Sequence, residues 1–241
     1  MKILIIELMK EKRSGIILLM LAIGILGAAY AFLNFAVRKE ALLSLPLAPM
    51  TILLTQLYGM MMSLNLFGII VAACMIYNIE FKGNAVKKMY VLPIHVLAMY
   101  LCKFLILTVL LSIAITLQHL ALTKIGITNL PRGFIELHTL IRFALYAFIT
   151  AMPVLSFMLF IASRFENMWI SLGIGVAGFL SGMALGVPKI GLFLADPFVI
   201  MLKPAVSMST RPDVSVIAIA IVETLLFLAA GLWTSANIHY E

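Results

Sequence analysis

Long uninterrupted runs of apolar residues dominate the chain. Six of them reach the roughly 20 residues that a helix needs to cross the hydrocarbon of a bilayer. They cover residues 15–37, 51–79, 94–123, 137–162, 168–187 and 214–236. Some are longer than this minimum, and helix tilt can absorb the excess. The pattern predicts an all-α, polytopic membrane protein with six transmembrane helices in a single transmembrane domain over residues 1–241.

A seventh apolar stretch, residues 190–202, is too short to cross the bilayer. Pro197 interrupts it, and Pro188, Pro204 and Pro212 surround it. Backbone that is not helical is tolerated at membrane depth only where protein or a water-filled cavity covers it. The proline pattern therefore predicts a re-entrant segment over residues 188–212, before the last span; the alternative is a hairpin that lies in the interface.

Composition supports a membrane protein over a soluble domain. Hydrophobic residues make up 64% of the chain and charged residues 11%, against roughly 25% charged in soluble domains. The mean hydropathy is +1.16. The net charge of +7 comes from basic residues scattered along the chain, which does not indicate a nucleic-acid partner. Cys74 and Cys102 lie inside apolar runs and suggest neither a disulfide framework nor a metal site.

The orientation depends mainly on the first span. Four basic residues precede it and two follow it, and the first helix usually sets the topology. An even number of spans then places both termini in the cytoplasm and residues 188–212 outside. A cleavable secretory signal is the competing interpretation of this span, with Ala29-Tyr30-Ala31 as a loose cleavage site. Glu7 and Glu11 are unusual in such a signal.

Two segments outside the spans have amphipathic patterns. Residues 1–14 carry a polar stripe opposite an apolar face, which predicts an interfacial helix; the alternative is a plain extension of the first span. The stripe consists of Glu7, Lys10, Glu11 and Ser14, and the apolar face of Ile5, Leu8 and Met9.

Residues 80–93 also have an amphipathic pattern if they form a helix, which Pro93 would end. The apolar half consists of Phe81, Ala85, Val86, Met89 and Tyr90, and the polar half of Gly83, Asn84, Lys87 and Lys88. This segment is either a cytoplasmic docking helix or a basic loop that only fixes topology.

These segments carry a resemblance to a known family. The sequence resembles the permease subunits of ABC exporters of the type V architecture, in particular the small permeases of the lantibiotic-immunity and bacitracin-resistance branch. The resemblance spans nearly the whole chain in length, span count and loop sizes. It is carried by residues 7–14, by the broken stretch before the last span, and by the series Glu80, Gly83, Lys87, Lys88, Leu92, Pro93 and Lys103. It implies that residues 1–14 form an elbow helix and that residues 80–93 form the coupling helix. The implied ATPase-coupling residues are Glu80, Phe81, Gly83, Lys87, Lys88 and Pro93.

The resemblance also implies partners. The chain contains no G-x-x-x-x-G-K-[ST] phosphate loop, so we expect it to be no enzyme and to carry no cofactor. ATP and Mg²⁺ would bind two separate cytoplasmic ATP-binding subunits, which would clamp two permeases, identical or diverged. By the same resemblance, the pair sits in the bilayer of a bacterial cell membrane and expels amphipathic antimicrobial peptides as self-protection or resistance.

Polar residues within the spans are candidates for a substrate pathway. Glu223 lies near the middle of the last span, where an ionisable side chain is costly and often functional. It could meet a cationic substrate, be protonated, or bond a neighbouring helix. Asn65 and Gln56, with Met61 beside them, could form an adaptable wall facing the substrate. Their amides could equally join helices by hydrogen bonds.

Glycines recur every four residues along the fifth span, at Gly178, Gly182 and Gly186. This spacing lets two helices approach closely, either within the subunit or between two permeases.

Two other functions fit the same spans. An ion- or proton-coupled secondary transporter could use Glu223 as its ion site, and a non-transporting immunity or anchor protein would need no energy source. An intramembrane enzyme is disfavoured because the chain has no H-E-x-x-H motif and its acidic residues are widely separated.

Overall fold

The computed structural model describes residues 2–81, 96–129, 136–185, 194–207 and 209–237. Within these ranges the chain is almost entirely helical and contains no strand. The helices are α1 (Lys2–Ser14), α2 (Ile16–Leu43), α3 (Pro49–Thr51), α4 (Tyr58–Phe81), α5 (Val96–Asn129), α6 (Leu137–Ala162), α7 (Met168–Leu185), α8 (Pro197–Val206) and α9 (Val214–Asn237). A π-helical turn, Ile52–Gln56, connects α3 to α4.

The prediction of six transmembrane helices is confirmed. Six segments are long and apolar enough to cross a membrane: α2, the continuous stretch from α3 to α4, α5, α6, α7 and α9. The third span is longer than predicted, because α5 continues to Asn129. Its 34 residues correspond to roughly 50 Å at 1.5 Å per residue, against about 30 Å of hydrocarbon. The sequence pattern detects only the apolar part of such a helix.

A single glycine separates α1 from α2. Gly15 has a φ of +83°, in the left-handed region that other residues rarely adopt. Ser14 stabilises the bend, because its Oγ accepts a hydrogen bond from the Ile16 amide at 3.3 Å and donates one to the Glu11 carbonyl at 2.7 Å. The chain therefore changes direction between α1 and the first span.

The short helix α8 lies between the last two spans. Its ten residues extend roughly 15 Å, about half the hydrocarbon thickness. Asp196 caps its first turn by accepting a hydrogen bond from the Phe198 amide at 2.8 Å, and Pro197 occupies the favoured first position. Residues Pro197 to Leu202 are all buried. This helix falls within the predicted re-entrant segment 188–212, of which residues 188–193 and 208 lie outside the described residues.

The spans pack around a core contributed mainly by α4, α5 and α6. Large apolar side chains also cover the outside of the bundle, as a protein surrounded by lipid requires. Trp169 at the start of α7 and Trp233 near the end of α9 are both exposed. Alternation of the spans places both tryptophans at the end of the bundle where α1 lies. Tryptophan favours the membrane–water interface, so this end has the character of an interface.

Candidate functional site

A cluster of charged side chains lies where α1, the end of α4 and the start of α5 meet. We call it the ion cluster; it consists of Glu7, Lys10, Glu11, Glu80 and Lys103. Glu7, Glu11 and Lys103 are each only 1% exposed, and Glu80 is 6% exposed. Charged groups this deeply buried persist only when they are paired. The cluster thus joins three elements that are far apart in sequence.

Lys103 is the centre of the ion cluster. Its Nζ contacts Glu7 Oε2 and lies 2.7 Å from Glu80 Oε1. Lys10 supports the same two carboxylates from α1, at 2.6 Å from Glu7 Oε1 and 3.7 Å from Glu80 Oε1. The Lys103 ammonium also lies 5.7 Å from the centre of the Tyr77 ring. Lys10 therefore links α1 to α4, and Lys103 links α5 to both of these helices.

Protonation of Glu11 would balance the charge of the ion cluster. Burial raises the pKa of Glu11 to about 7, with Lys103 opposing the shift and Glu7 and Glu80 adding repulsion. Burial would also raise the pKa of Glu7, but its attraction to Lys103 and its hydrogen bond from Lys10 outweigh burial and lower that pKa. With Glu11 protonated, two carboxylates face two ammonium groups. The cluster is then neutral, which is the least costly state for buried charges.

The apolar face of α1 points away from the protein. Ile5, Leu8 and Met9 are exposed, whereas Glu7 and Glu11 of the polar stripe face the bundle. This arrangement suits a helix whose outer side contacts lipid. The prediction of an interfacial helix over residues 1–14 is compatible with it and stays a prediction.

The predicted coupling residues fall at the edge of the described part. Glu80 and Phe81 are the last two residues of α4, and Glu80 belongs to the ion cluster. Gly83, Lys87, Lys88 and Pro93 lie outside the described residues. The ion cluster thus holds the two helices that enter and leave the predicted coupling segment, and Lys103 lies about two turns into α5.

Glu223 has one buried carboxyl oxygen that makes no hydrogen bond to the described part of the chain. It is 8% exposed on α9, and its Oε2 has no hydrogen-bond partner within the described residues. This oxygen therefore does not join α9 to another described helix by a hydrogen bond, and the role of Glu223 stays a prediction.

The other predicted pathway residues lie elsewhere in the bundle. Asn65 and Gln118 exchange two amide hydrogen bonds of 2.8 Å between α4 and α5. A Cβ atom on Gly27 would approach Gln118 Nε2 to 2.5 Å, so that glycine provides the space for the pair. Met61 is fully buried, and Gln56 is half-buried in the π-helical turn. In this conformation, Asn65 therefore joins helices.

Two of the predicted packing glycines contact α8. A Cβ atom on Gly182 would lie 2.8 Å from the Phe198 Cβ, and one on Gly178 would overlap the Phe198 ring. These two positions pack within the subunit. Gly186 lies outside the described residues.

The sequence alone did not reveal the ion cluster as a unit. In the sequence, Glu7, Lys10 and Glu11 form a polar stripe, and Lys103 belongs only to the residue series that carries the family resemblance. The available signal was Lys103 itself, since a lysine within an apolar span requires a counter-ion. Identifying Glu7, 96 residues away, required the packing of α1 against α5.

The comparisons with known proteins give one match. Residues 3–182 match the model of a family described as ABC-2 family transporter protein. Neither the comparison with curated proteins nor that with solved structures gives a match. The family match covers most of the chain, from α1 through the fifth span, and includes every member of the ion cluster. The chain therefore belongs to the ABC-2 family of transporters and is a membrane-embedded permease of an ABC transporter.

Proposed function

We propose that this permease exports amphipathic antimicrobial peptides from a bacterial membrane and that separate ATP-binding subunits drive it through residues 80–93. The ion cluster is the observation that supports this proposal most strongly. It ties α1 to both helices that flank the predicted coupling segment. A force applied to that segment would move α1, α4 and α5 as one body.

The energetics favour movement as a unit. Separating a buried ion pair leaves an uncompensated charge and costs roughly 3–5 kcal/mol. Lys103 and Lys10 together make four contacts with Glu7 and Glu80, and three of these contacts join different helices. Sliding one of the three helices past the others would break the contacts that it makes to them, whereas tilting all three together breaks none. The cheaper motion is therefore a rigid-body displacement, which is what mechanical coupling to a motor requires.

The coupling segment carries the proposed docking chemistry. Lys87 and Lys88 would meet acidic groups on the ATP-binding subunit, and Gly83 would allow the close approach of its backbone. ATP and Mg²⁺ would be bound by two such subunits, facing a pair of permeases that are identical or diverged. In this arrangement, the end of the bundle that holds the ion cluster faces the cytoplasm, together with both termini.

The substrate proposal rests on the resemblance and on Glu223. A cationic, amphipathic peptide could enter sideways from the bilayer and neutralise the lone Glu223 carboxylate on its way outward. Gln56, Met61 and Asn65 stay candidates for the pathway in another conformation of the transport cycle. The segment 188–212 would form the extracellular gate.

The docking proposal can be tested with the ATPase that co-purifies with the full-length permease. We expect the reconstituted complex to hydrolyse ATP faster than the ATPase alone. Replacing Lys87 and Lys88 by alanine should remove this stimulation without lowering the amount of inserted permease. Arg38→Ala with Lys39→Ala is the matched control, because it removes two adjacent positive charges from the predicted opposite side. Full stimulation by the Lys87 and Lys88 variant would refute the docking role.

The substrate proposal needs its own experiment. Cells expressing Glu223→Gln, at a level equal to the unmodified permease, should lose resistance to a cationic lantibiotic while the ATPase still co-purifies. Glu136→Gln, which alters an exposed carboxyl group at the start of α6, should leave resistance unchanged. Unaltered resistance with Glu223→Gln would remove that residue from the mechanism.

A further inference from the structure

A groove on the membrane-facing surface lies between α5 and α6. It has a volume of about 400 Å³, within the roughly 300–1,000 Å³ typical of small-ligand sites. Leu120, Ile141 and Leu145 line it and are more than half exposed, so it opens towards the lipid. Along α5 it runs from Ser112 to Thr123, roughly 17 Å at 1.5 Å per residue. It therefore occupies the half of the bundle that lies away from the ion cluster.

One residue that lines this groove has a buried polar atom without a partner among the described residues. His119 lines the groove, is 7% exposed, and its Nε2 makes no hydrogen bond within the described residues. The other ring nitrogen, Nδ1, lies 2.9 Å from the Ile115 carbonyl oxygen. A carbonyl can only accept, so Nδ1 carries the proton, and Nε2 of the neutral ring presents a lone pair. The Tyr58 and Phe143 rings, centred 5.7 and 6.2 Å away, hold the imidazole in place.

The remaining polar groups of the groove present the same chemistry. The hydroxyls of Ser112, Thr116 and Thr123 each donate to a backbone carbonyl of their own helix, at 2.7, 2.7 and 2.8 Å. Their protons are thus already used, and their lone pairs remain available. Every side-chain polar group that lines the described groove, His119 included, can therefore accept a hydrogen bond. No charged side chain is among the described lining residues.

We propose that this groove binds a neutral membrane amphiphile that has one aliphatic chain and a hydroxyl donor. The aliphatic chain would lie along the leucine and isoleucine side chains, and the hydroxyl would donate to His119 Nε2. A lipid with a charged head group fits poorly, because nothing described in the groove balances its charge. The proposal does not depend on the ATPase partner or on peptide export, since it concerns binding to the permease alone.

The test uses a photoreactive long-chain alcohol and its methyl ether, which differ only in the hydrogen-bond donor. Both probes carry a diazirine in the chain and are added to the full-length permease in lipid vesicles. We expect the alcohol to label peptides containing residues 112–123 and 137–148 about fivefold more than the ether, the factor expected for one neutral hydrogen bond. Excess unlabelled monoacylglycerol, which has one acyl chain and free hydroxyls, should compete with the alcohol.

Two variants separate recognition from general lipid contact. His119→Phe retains an aromatic ring between Tyr58 and Phe143, and should remove the preference for the alcohol without changing thermal stability. His138→Leu is the control, since His138 is exposed on α6 and does not line the groove. It should retain the preference.

Three results would overturn the proposal. Equal labelling by alcohol and ether would exclude recognition of the donor. Preference for the alcohol retained in His119→Phe would exclude His119 as its acceptor. No labelling of the groove by either probe would mean that another element, such as a second permease, covers it.

Discussion

Removing the Lys103 ammonium is the sharpest structural perturbation that the ion cluster offers. Lys103→Met keeps a long, unbranched side chain and eliminates the charge that Glu7 and Glu80 share. Lys10 remains 2.6 Å from Glu7 but 3.7 Å from Glu80. Glu80 is therefore the carboxylate that loses its close partner.

Burial of the carboxylate sets the magnitude of this loss. Leaving a buried carboxylate without its partner costs roughly 3–5 kcal/mol. Lys10 still lies near both carboxylates, so we expect a loss at the lower end of this range, about 3 kcal/mol. For a chain of this size, that corresponds to a drop in Tm of roughly 6–12 °C.

The native cysteines provide the assay. Cys74 is buried in α4, whereas Cys102 is only half-buried. With Cys102→Ser in every variant, a thiol-reactive fluorophore will report unfolding of the bundle through Cys74 in detergent as temperature rises. Lys124→Met removes an exposed lysine from the far end of the same helix and is the matched control. We expect its Tm to stay within about 1 °C of the unmodified protein, because exposed ion pairs contribute little.

A charge-balanced variant tests the reasoning itself. Adding Glu80→Gln to Lys103→Met removes the unpaired carboxylate and should recover much of the lost stability, since replacing both buried partners is often nearly neutral. If Lys103→Met leaves Tm unchanged, or if Glu80→Gln lowers it further in that background, the cluster does not hold the three helices together.

Three further predictions concern other parts of the bundle. The pKa of Glu11 is raised to about 7, so the contribution of Glu11 to stability should be full below pH 4.5 and be lost as pH rises through 7. Tm should therefore fall between pH 5 and pH 8. Glu11→Gln should flatten this dependence of Tm on pH. Gly182→Val should lower Tm by an amount equivalent to roughly 1–3 kcal/mol, because the new side chain meets α8. Gly173→Ala should leave Tm unchanged, because a Cβ atom at Gly173 has open space around it. Equal effects of the two substitutions would contradict the packing of α7 against α8. Asn65→Leu should be more destabilising than Asn65→Leu combined with Gln118→Leu, since the single change leaves one buried amide unsatisfied; a less stable double variant in the same thermal assay would refute this.

The architecture was predictable because a lipid environment imposes simple requirements. Backbone groups in hydrocarbon must bond internally, so an apolar run of sufficient length has to form a helix. The six spans followed from length alone, with their central residues assigned correctly. Their ends were less accurate, since the extension of α5 to Asn129 and the π-helical turn at Ile52–Gln56 depend on packing rather than on hydropathy.

The site was only partly predictable, because it depends on which helices are neighbours. Glu223 could be identified from the sequence, since its position within an apolar run is itself unusual. The partners of Lys103 could not, because an isolated lysine in a span indicates a need for a counter-ion without identifying its source. The same holds for Asn65, whose role in this structure depends on facing Gln118.

The most direct test of the central claim measures peptide export in a defined system. Proteoliposomes containing the full-length permease and its co-purifying ATPase should export a cationic lantibiotic when ATP is present on the ATPase side. Proteoliposomes containing the permease alone should export none, with or without an ion gradient. Export by the permease alone, or export driven by an ion gradient without ATP, would contradict the account.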